Sequence, residues 1–376
     1  MECIVHNFIK ANSFDEPKLV LHLKRLEENY ARFIEGMPGV NVHYAVKANP
    51  HVEILSQLHA MGSKFDAASI GEITQLIDLG VPPDHISFGN TVKAVSALKA
   101  AHILGITLYA ADSYEEVEKI AEHAPGADVY IRLLVRSTEA EWPLSRKFGC
   151  SSSMVVPIMD HAKALGLNPI GLSFHVGSQT RHPHMWLDIL DIASSVWIDA
   201  RDAGHTPTLL NIGGGFPSYY GVDITDPVTY GRALMEEIEK RFDGITYLMA
   251  EPGRAMVANL GSIAAEVLLV SHKTEGDPVR WVYLNIGRFS GLAETEEEAI
   301  KYRLFVPGKD YEDKSECILA GPTCDSADVM YEDHKLLLPK SLKCGDKIII
   351  DNTGAYTLTY STVCFNGFPP LGVILI

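Results

Sequence analysis

Lys47 closes an apolar run in the string YAVKAN, Tyr44 to Asn49. Three more strings follow at the ends of strand-like segments: HVGS (His175 to Ser178), GGGF (Gly213 to Phe216) and EPGR (Glu251 to Arg254). Each carries a different chemistry. A lysine amine at a strand end can condense with an aldehyde to form a Schiff base, and burial lowers its pKa and frees the nucleophile. Consecutive glycines let backbone N–H groups approach an anion closely, and an arginine adds a planar, permanently charged fork for the same phosphate. An acid such as Glu251 can face a protonated ring nitrogen and make that ring an electron sink. His175 can lay its ring on a flat cofactor. Together these are the needs of pyridoxal phosphate.

Taken singly, the signals are weaker. A triple glycine is more often a turn, a lysine is usually a solvated surface group, and Glu251 could instead form a structural ion pair with Arg132. The pairing of GGGF with EPGR at successive strand ends favours a phosphate site.

The elements that must position these groups alternate. From about residue 24 to 254, β-prone runs alternate with helical periodicity. Eight strands are expected, at Val42–Val46, Lys64–Ala67, Ile86–Phe88, Thr107–Ala110, Val129–Val135, Gly171–His175, Leu209–Ile212 and Tyr247–Ala250. Ser69 and Glu72 form a candidate capping box, and Glu115–Ala124 and Met154–Leu165 read as helices. Eight such units predict a TIM barrel, an α/β fold whose active site lies at the C-terminal strand ends, with phosphate held after strands seven and eight. Beyond Arg254 the strand-like runs Ile263–Val270, Val279–Leu284, Cys317–Ala320, Lys347–Ile350 and Gly372–Ile376 predict a second, mostly β domain. The stretch before residue 24, with Lys18–Leu21, could add a strand to it. The expected division is therefore a barrel over 24–254 and a β domain from 1–23 and 255–376.

The chain has 376 residues, 47% hydrophobic and 21% charged, with a net charge of −16. That charge argues against nucleic acid and fits a cationic small substrate or plain solubility. No apolar run approaches the ~20 residues that span a bilayer, and no secretory signal is evident, so a cytoplasmic location is expected. The six cysteines lack zinc spacing or disulfide density, and the fifteen histidines include no HExxH pair, so no metal is expected. Cys324 and Asp325 adjoin in GPTCDSAD (Gly321 to Asp328), a loop opened by glycine and proline where both could be exposed.

These strings, with KFDAAS, the Arg132 strand, KFG (Lys147 to Gly149), NIGGGFP, GAYT (Gly354 to Thr357) and FNGF (Phe365 to Phe368), resemble the fold-type III, pyridoxal-phosphate-dependent basic amino acid decarboxylases of the ornithine decarboxylase group. The resemblance covers nearly the whole chain. ISFGNTVK, EWPLSRKFG and GLAETEEEAI look more like the short bacterial ornithine or lysine/ornithine enzymes than the longer animal ones. It implies that Lys47 carries the cofactor, Glu251 holds the pyridinium and His175 stacks on the ring. It further implies that Ser178, Gly214, Gly215, Arg254 and Tyr356 bind the phosphate, with Asp66 and Arg132 around Lys47 and the ring. It implies a head-to-tail homodimer in which Cys324 and Asp325 enter the partner's site, Cys324 as proton donor and Asp325 to hold the distal amine. Tyr356 would also line the substrate pocket. Animal ornithine decarboxylases place an aspartate near that amine in a loop whose counterpart here is RFSGLAET, so Glu294 is the expected equivalent, with the effect of Arg288 on the pocket left open.

The implied reaction is decarboxylation of L-ornithine to putrescine, with lysine, arginine and diaminopimelate as other candidate substrates. Diaminopimelate decarboxylases usually follow the cysteine with glutamate, and Asp325 speaks against that group. Alanine racemases place arginine at the ring nitrogen, and Glu251 speaks against them. A non-catalytic regulatory homologue is disfavoured by the presence of Lys47, Glu251, Arg254, Cys324 and Asp325 together.

Overall fold

The computed structural model describes residues 4–135 and 147–376. Most of EWPLSRKFG therefore lies outside the described residues. The chain divides into two compact units, one of residues 27–217 and 224–253, the other of residues 1–26, 218–223 and 254–376.

The first unit is a closed barrel of eight parallel strands. Counting from β1 (Lys18–Leu21), which belongs to the other unit, the barrel strands are β2 (Asn41–Ala45), β3 (Lys64–Ala67), β4 (Ile86–Phe88), β5 (Leu108–Ala111), β6 (Asp128–Arg132), β7 (Asn168–Ser173), β8 (Leu209–Asn211) and β9 (Tyr247–Ala250). The ring closes where Asn41 and Val42 pair with Met249 and Ala250. All eight expected strands are present, with ends shifted by up to three residues.

Two shifts change how the site is built. β2 stops at Ala45, so Lys47 sits in a 3-10 turn, Val46–Ala48, rather than on the strand itself. β7 stops at Ser173, which leaves His175 in the loop beyond. Helix Ile70–Asp78 starts as expected: the Ser69 hydroxyl accepts from the Glu72 N–H, and the Glu72 carboxylate accepts from Ala68 N–H at 2.6 Å, one residue earlier than in a standard box. Helices Tyr114–His123 and Ser152–Ala164 occupy the two other predicted segments.

Residues two apart on a strand share a face. The register sets His43 beside Lys64 and Asp66 beside Ser87. Barrel interiors are mostly filled by branched apolar side chains. This one carries buried His43 and Ser87 among its strands.

The second unit is a nine-stranded mixed sheet. Its longest strand, β10 (Gly261–Ser271), pairs with β1 and with β11 (Arg280–Leu284), which continues in parallel to β13 (Lys314–Ala320) once β12 (Leu304–Phe305) has been passed. β14 (Val329–Met330) and β15 (Leu336–Pro339) flank β13, while β16 (Lys347–Ile350) joins β12 to β10. The last strand, β17 (Gly372–Leu375), runs parallel to β1, so the expectation that Lys18–Leu21 serves the β domain holds. A helix not expected from sequence, Ile4–Ala11, buries Val5 and Ile9 against Val20, Ala264 and Ile349. No helix among the described residues is long and apolar enough to cross a membrane.

Candidate active site

Lys47, Asp66, Arg132, His175 and Glu251 emerge at or just past the C-terminal ends of β2, β3, β6, β7 and β9. They sense one another electrostatically. Asp66 is 7% exposed, and burial together with the Glu251 charge holds its carboxyl well above the usual carboxylate range, with Lys47 opposing. Burial, then the Arg132 and Lys47 cations, drive His175 well below the ordinary imidazole range. His175 is thus neutral, and its Nδ1 accepts from Gly177 N–H at 3.0 Å, so the proton rests on Nε2. Lys47 itself is exposed, not sheltered as its apolar approach suggested.

Glu251 is aimed by a residue that the sequence did not single out. Asn211 donates from Nδ2 to Glu251 Oε1 at 2.6 Å, while its Oδ1 accepts from Gly213 N–H at 2.8 Å. One amide therefore fixes both the acid and the start of the glycine loop. Its place in NIGGGF was visible, but a lone asparagine before glycines reads as turn chemistry.

The glycine loop is required to be glycine. A Cβ on Gly213, at φ 70°, would lie 2.1 Å from the Phe174 carbonyl oxygen. On Gly214 it would lie 2.8 Å from the Glu251 carbonyl oxygen and 3.3 Å from His175 Nε2. Thr180 N–H donates to the Gly215 carbonyl at 2.9 Å, Tyr230 donates its hydroxyl to the Thr180 carbonyl at 2.9 Å, and the Trp186 indole donates to Tyr230. Ser178 lies half-buried between His175 and Thr180 in the chain.

In the second unit, Arg254 opens a short helix, Arg254–Val257, and is 3% exposed. Its guanidinium donates to Glu294 Oε1 at 2.5 Å and Oε2 at 2.8 Å and to the Tyr220 hydroxyl at 3.1 Å. The Tyr356 ring lies 5.0 Å from it. Tyr356 takes φ 62°, left-handed backbone that a bulky residue adopts only where its surroundings demand it. Glu294 is the residue expected near a distal amine. In this chain its carboxylate is buried and engaged on both oxygens by Arg254. Forty positions separate the two, and nothing in either string signals the pair.

Cys324 and Asp325 are both exposed. The Cys324 N–H donates to Asn366 Oδ1 at 3.0 Å, and Asp325 Oδ1 accepts from Ala327 N–H at 2.9 Å. The loop is organised by Asp328, 2% exposed, which accepts from Thr323 and from the Arg288 N–H. Arg288 itself donates to the Ala327 carbonyl. Asp328 was visible only as the end of GPTCDSAD.

These residues fit pyridoxal phosphate: a carboxylate pinned for a ring nitrogen, a neutral imidazole, glycines whose amides no side chain can shield, and a lysine amine. Among the described residues no cluster of His, Cys, Asp or Glu could hold a metal. Residues 23–258 match the family model for the pyridoxal-dependent decarboxylase, pyridoxal binding domain. The chain belongs to the pyridoxal-dependent decarboxylases. The lysine/ornithine decarboxylase of Selenomonas ruminantium is 35% identical over 365 residues, 95% of this chain and 89% of that one. The crystal structure of SrLDC in complex with PLP and cadaverine superimposes with a TM-score of 0.89 at 32% identity, over 100% of this chain and 94% of that one. The arginine decarboxylase of Paramecium bursaria Chlorella virus, bound to agmatine, gives 0.88 at 28%, over 99% and 100%. The decarboxylase is thus a pyridoxal-phosphate enzyme of the fold-type III class that acts on basic amino acids.

Proposed function

We propose that the enzyme converts L-ornithine to putrescine and carbon dioxide, and takes L-lysine as a second substrate. Pyridoxal phosphate, when bound, supplies an aldehyde for the substrate amine and a ring that accepts the electron pair left by the departing carboxyl. Lys47 is the amine that would hold the cofactor between turnovers. Glu251, aimed by Asn211, would keep the ring nitrogen protonated, and neutral His175 would offer its face without repelling that charge. Gly214, Gly215 and Ser178 would donate to the phosphate, with Arg254 and Tyr356 completing its binding. Asp66 and Arg132 set the charge around Lys47.

The observation that carries the substrate reading is the exposed Cys324–Asp325 pair, held by Asn366 and Asp328. Asp325 offers a carboxylate to a distal ammonium, and Cys324 would return one proton to the carbon that lost carbon dioxide. Tyr356 would lie beside the substrate. Apolar surface next to this loop, Val363 at 79% exposure with Phe365 and Phe368, supports a homodimer in which both residues act in the partner's site. We place this enzyme in the cytoplasm.

The test is carbon dioxide release by protein supplied with pyridoxal phosphate, on L-ornithine, L-lysine, L-arginine and meso-diaminopimelate in parallel. A higher kcat/KM for ornithine than for the other three supports the proposal. Preference for arginine or diaminopimelate overturns the substrate assignment and leaves the decarboxylase chemistry intact.

A further inference from the structure

The barrel holds a line of hydrogen-bonded polar side chains that no step above uses. Lys64 and Tyr247 are the first residues of β3 and β9, at the strand ends opposite the mouth. Lys64 Nζ donates to the Tyr247 hydroxyl at 2.6 Å. Tyr247 lies 2.9 Å from His43 Nε2, and His43 Nδ1 lies 3.3 Å from Ser87 Oγ. Ser87 donates to Asp66 Oδ1 at 3.2 Å. His43 and Ser87 are 1% and 0% exposed, Asp66 is buried at the mouth, and Lys64 and Tyr247 are partly exposed. The line thus begins at solvent and ends among the groups around Lys47.

The donors can run in one direction, although the Phe65 carbonyl, 3.3 Å from Ser87 Oγ and also bonded to His43, competes for protons on the way. Lys64, an ammonium, can only donate, so Tyr247 accepts from it and gives its own proton to His43 Nε2. A neutral His43 then carries its proton on Nδ1 and donates to Ser87, which donates to Asp66. Branched apolar side chains could have filled this space with no hydrogen bonds to satisfy. Decarboxylation consumes one proton per turnover, because hydrogen replaces the lost carboxyl, and a substrate seated in the mouth obstructs water from that side.

We propose that Lys64, Tyr247, His43 and Ser87 form a proton relay that supplies Asp66 from the face of the barrel opposite the mouth. In one passage a Lys64 N–H bond breaks as a Tyr247 O–H forms, the Tyr247 proton passes to His43 Nε2, the His43 Nδ1 proton passes to Ser87, and the Ser87 proton passes to Asp66. The net change is Lys64 ammonium to amine and Asp66 carboxylate to carboxylic acid. Asp66 then gives that proton up into the mouth, where it replaces the one that Cys324 returns to the substrate carbon, solvent reprotonates Lys64, and the hydroxyls and imidazole reset by rotation and tautomer exchange.

The charges around each end support this direction. Asp66 faces Glu251, Lys47 and Glu72, and burial with Glu251 raises its affinity for a proton. Lys64 has Asp84 near it, yet burial lowers its hold on its own proton. His43 faces Lys64 and His85, and burial keeps it neutral, the state in which it can pass a proton from one nitrogen to the other.

The experiment has two arms, both on full-length protein. In the first, nitrogen NMR of the protein without substrate reads the His43 tautomer. Neutral imidazole with the proton on Nδ1 is expected, and protonation on Nε2 overturns the direction of the relay. In the second, kcat on the best basic amino acid is measured in mixtures of H2O and D2O for the parent, His43→Phe and Tyr247→Phe. The parent should show a curved dependence on deuterium fraction, the mark of several protons in motion. Each variant should lose that curvature and roughly tenfold in kcat with KM unchanged, less than the loss of a direct acid or base because water still reaches Asp66 slowly. Tyr247→Phe keeps its ring and serves if His43→Phe fails to fold. A linear dependence in the parent, or variants that keep both curvature and kcat, overturns the proposal. The inference rests on the decarboxylase reading, and failure of the parent to release carbon dioxide from any amino acid would be a failure of that reading instead.

Discussion

Glu294→Gln tests the buried Arg254–Glu294 pair. Arg254 and Glu294 are 3% and 6% exposed and joined by two hydrogen bonds of 2.5 and 2.8 Å. Glutamine keeps the shape and can still accept one of those bonds, but it removes the carboxylate charge that pairs with Arg254. Breaking a buried pair costs on the order of 3–5 kcal/mol when an uncompensated charge remains. The retained bond and the Tyr220 hydroxyl at 3.1 Å put the expected loss near the lower end, about 3 kcal/mol. The assay is thermal unfolding of cofactor-free parent and variant, repeated across a titration of pyridoxal phosphate. If Arg254 serves the phosphate, the cofactor supplies the anion that the variant lacks, so the variant should be stabilised more than the parent and approach it at saturation. Ligand linkage gives about 2.7 kcal/mol at a hundredfold excess over Kd, enough to be read as a converging midpoint. A variant as stable as the parent without cofactor, or one whose deficit persists unchanged at saturation, would refute the reasoning.

Lys47→Ala should abolish carbon dioxide release and the visible absorption of bound cofactor, and turnover at the parental rate would rule out its role as carrier. Asn211→Leu removes the 2.6 Å bond to Glu251. Loss of a bond to a charged group is worth about 1.5–3 kcal/mol, so kcat should fall roughly 10- to 100-fold with cofactor still bound, and an unchanged kcat would count against orientation by Asn211. Cys324→Ala should release carbon dioxide while yielding less amine per carbon dioxide, so equal amounts of both would remove the thiol as proton donor. For stability against pH, His43 is held down to about 3 from its usual 6.5, chiefly by burial. The unfolded chain takes up that proton first, so the stability due to neutral His43 is present above about pH 6.5 and is lost as pH falls toward 3, at roughly 1.4 kcal/mol per unit. Asp66 shifts in the opposite sense, so the informative quantity is the difference between His43→Phe and parent denaturant midpoints at each pH. That difference should move in favour of the variant on acidification, and parallel curves would show that His43 does not titrate as buried.

Residues near one another in sequence and those joined only by the fold differ in how well they could be read. The barrel strands were legible as short, largely apolar runs set between helical segments, and Lys47, Gly214 and Glu251 inherit their places from the ends of those runs. Helix Ile4–Ala11 was missed because eight residues offer only one helical repeat, the spacing of Val5 and Ile9. Lys47 looked sheltered because its neighbours are apolar, but β2 ends two residues before it and the turn carries it outward. The Arg254–Glu294 pair and the line from Lys64 to Asp66 could not be read at all. Their members sit on different elements, and an expected barrel does not by itself show which polar side chains meet across it.

The carboxylates reveal a further reason why glycine positions were visible while their purpose was not. A Cβ on Gly89 would lie 1.9 Å from Asp66 Oδ1, and on Gly287 and Gly321 it would lie 2.1 and 2.2 Å from the oxygens of Asp328. Each buried carboxylate is seated on backbone with no side chain, and Gly214 makes the same room beside the Glu251 carbonyl. An added methyl at any of these positions must move the carboxylate or the strand behind it, since such an approach is far inside contact distance. Moving Asp66 would separate it from Ser87, and moving Asp328 would release Thr323 and the backbone of Arg288. The glycines outside the GGGF string therefore act on the site through the acids that they admit, which explains why substitution there should alter proton handling or the Cys324 loop before it alters the barrel.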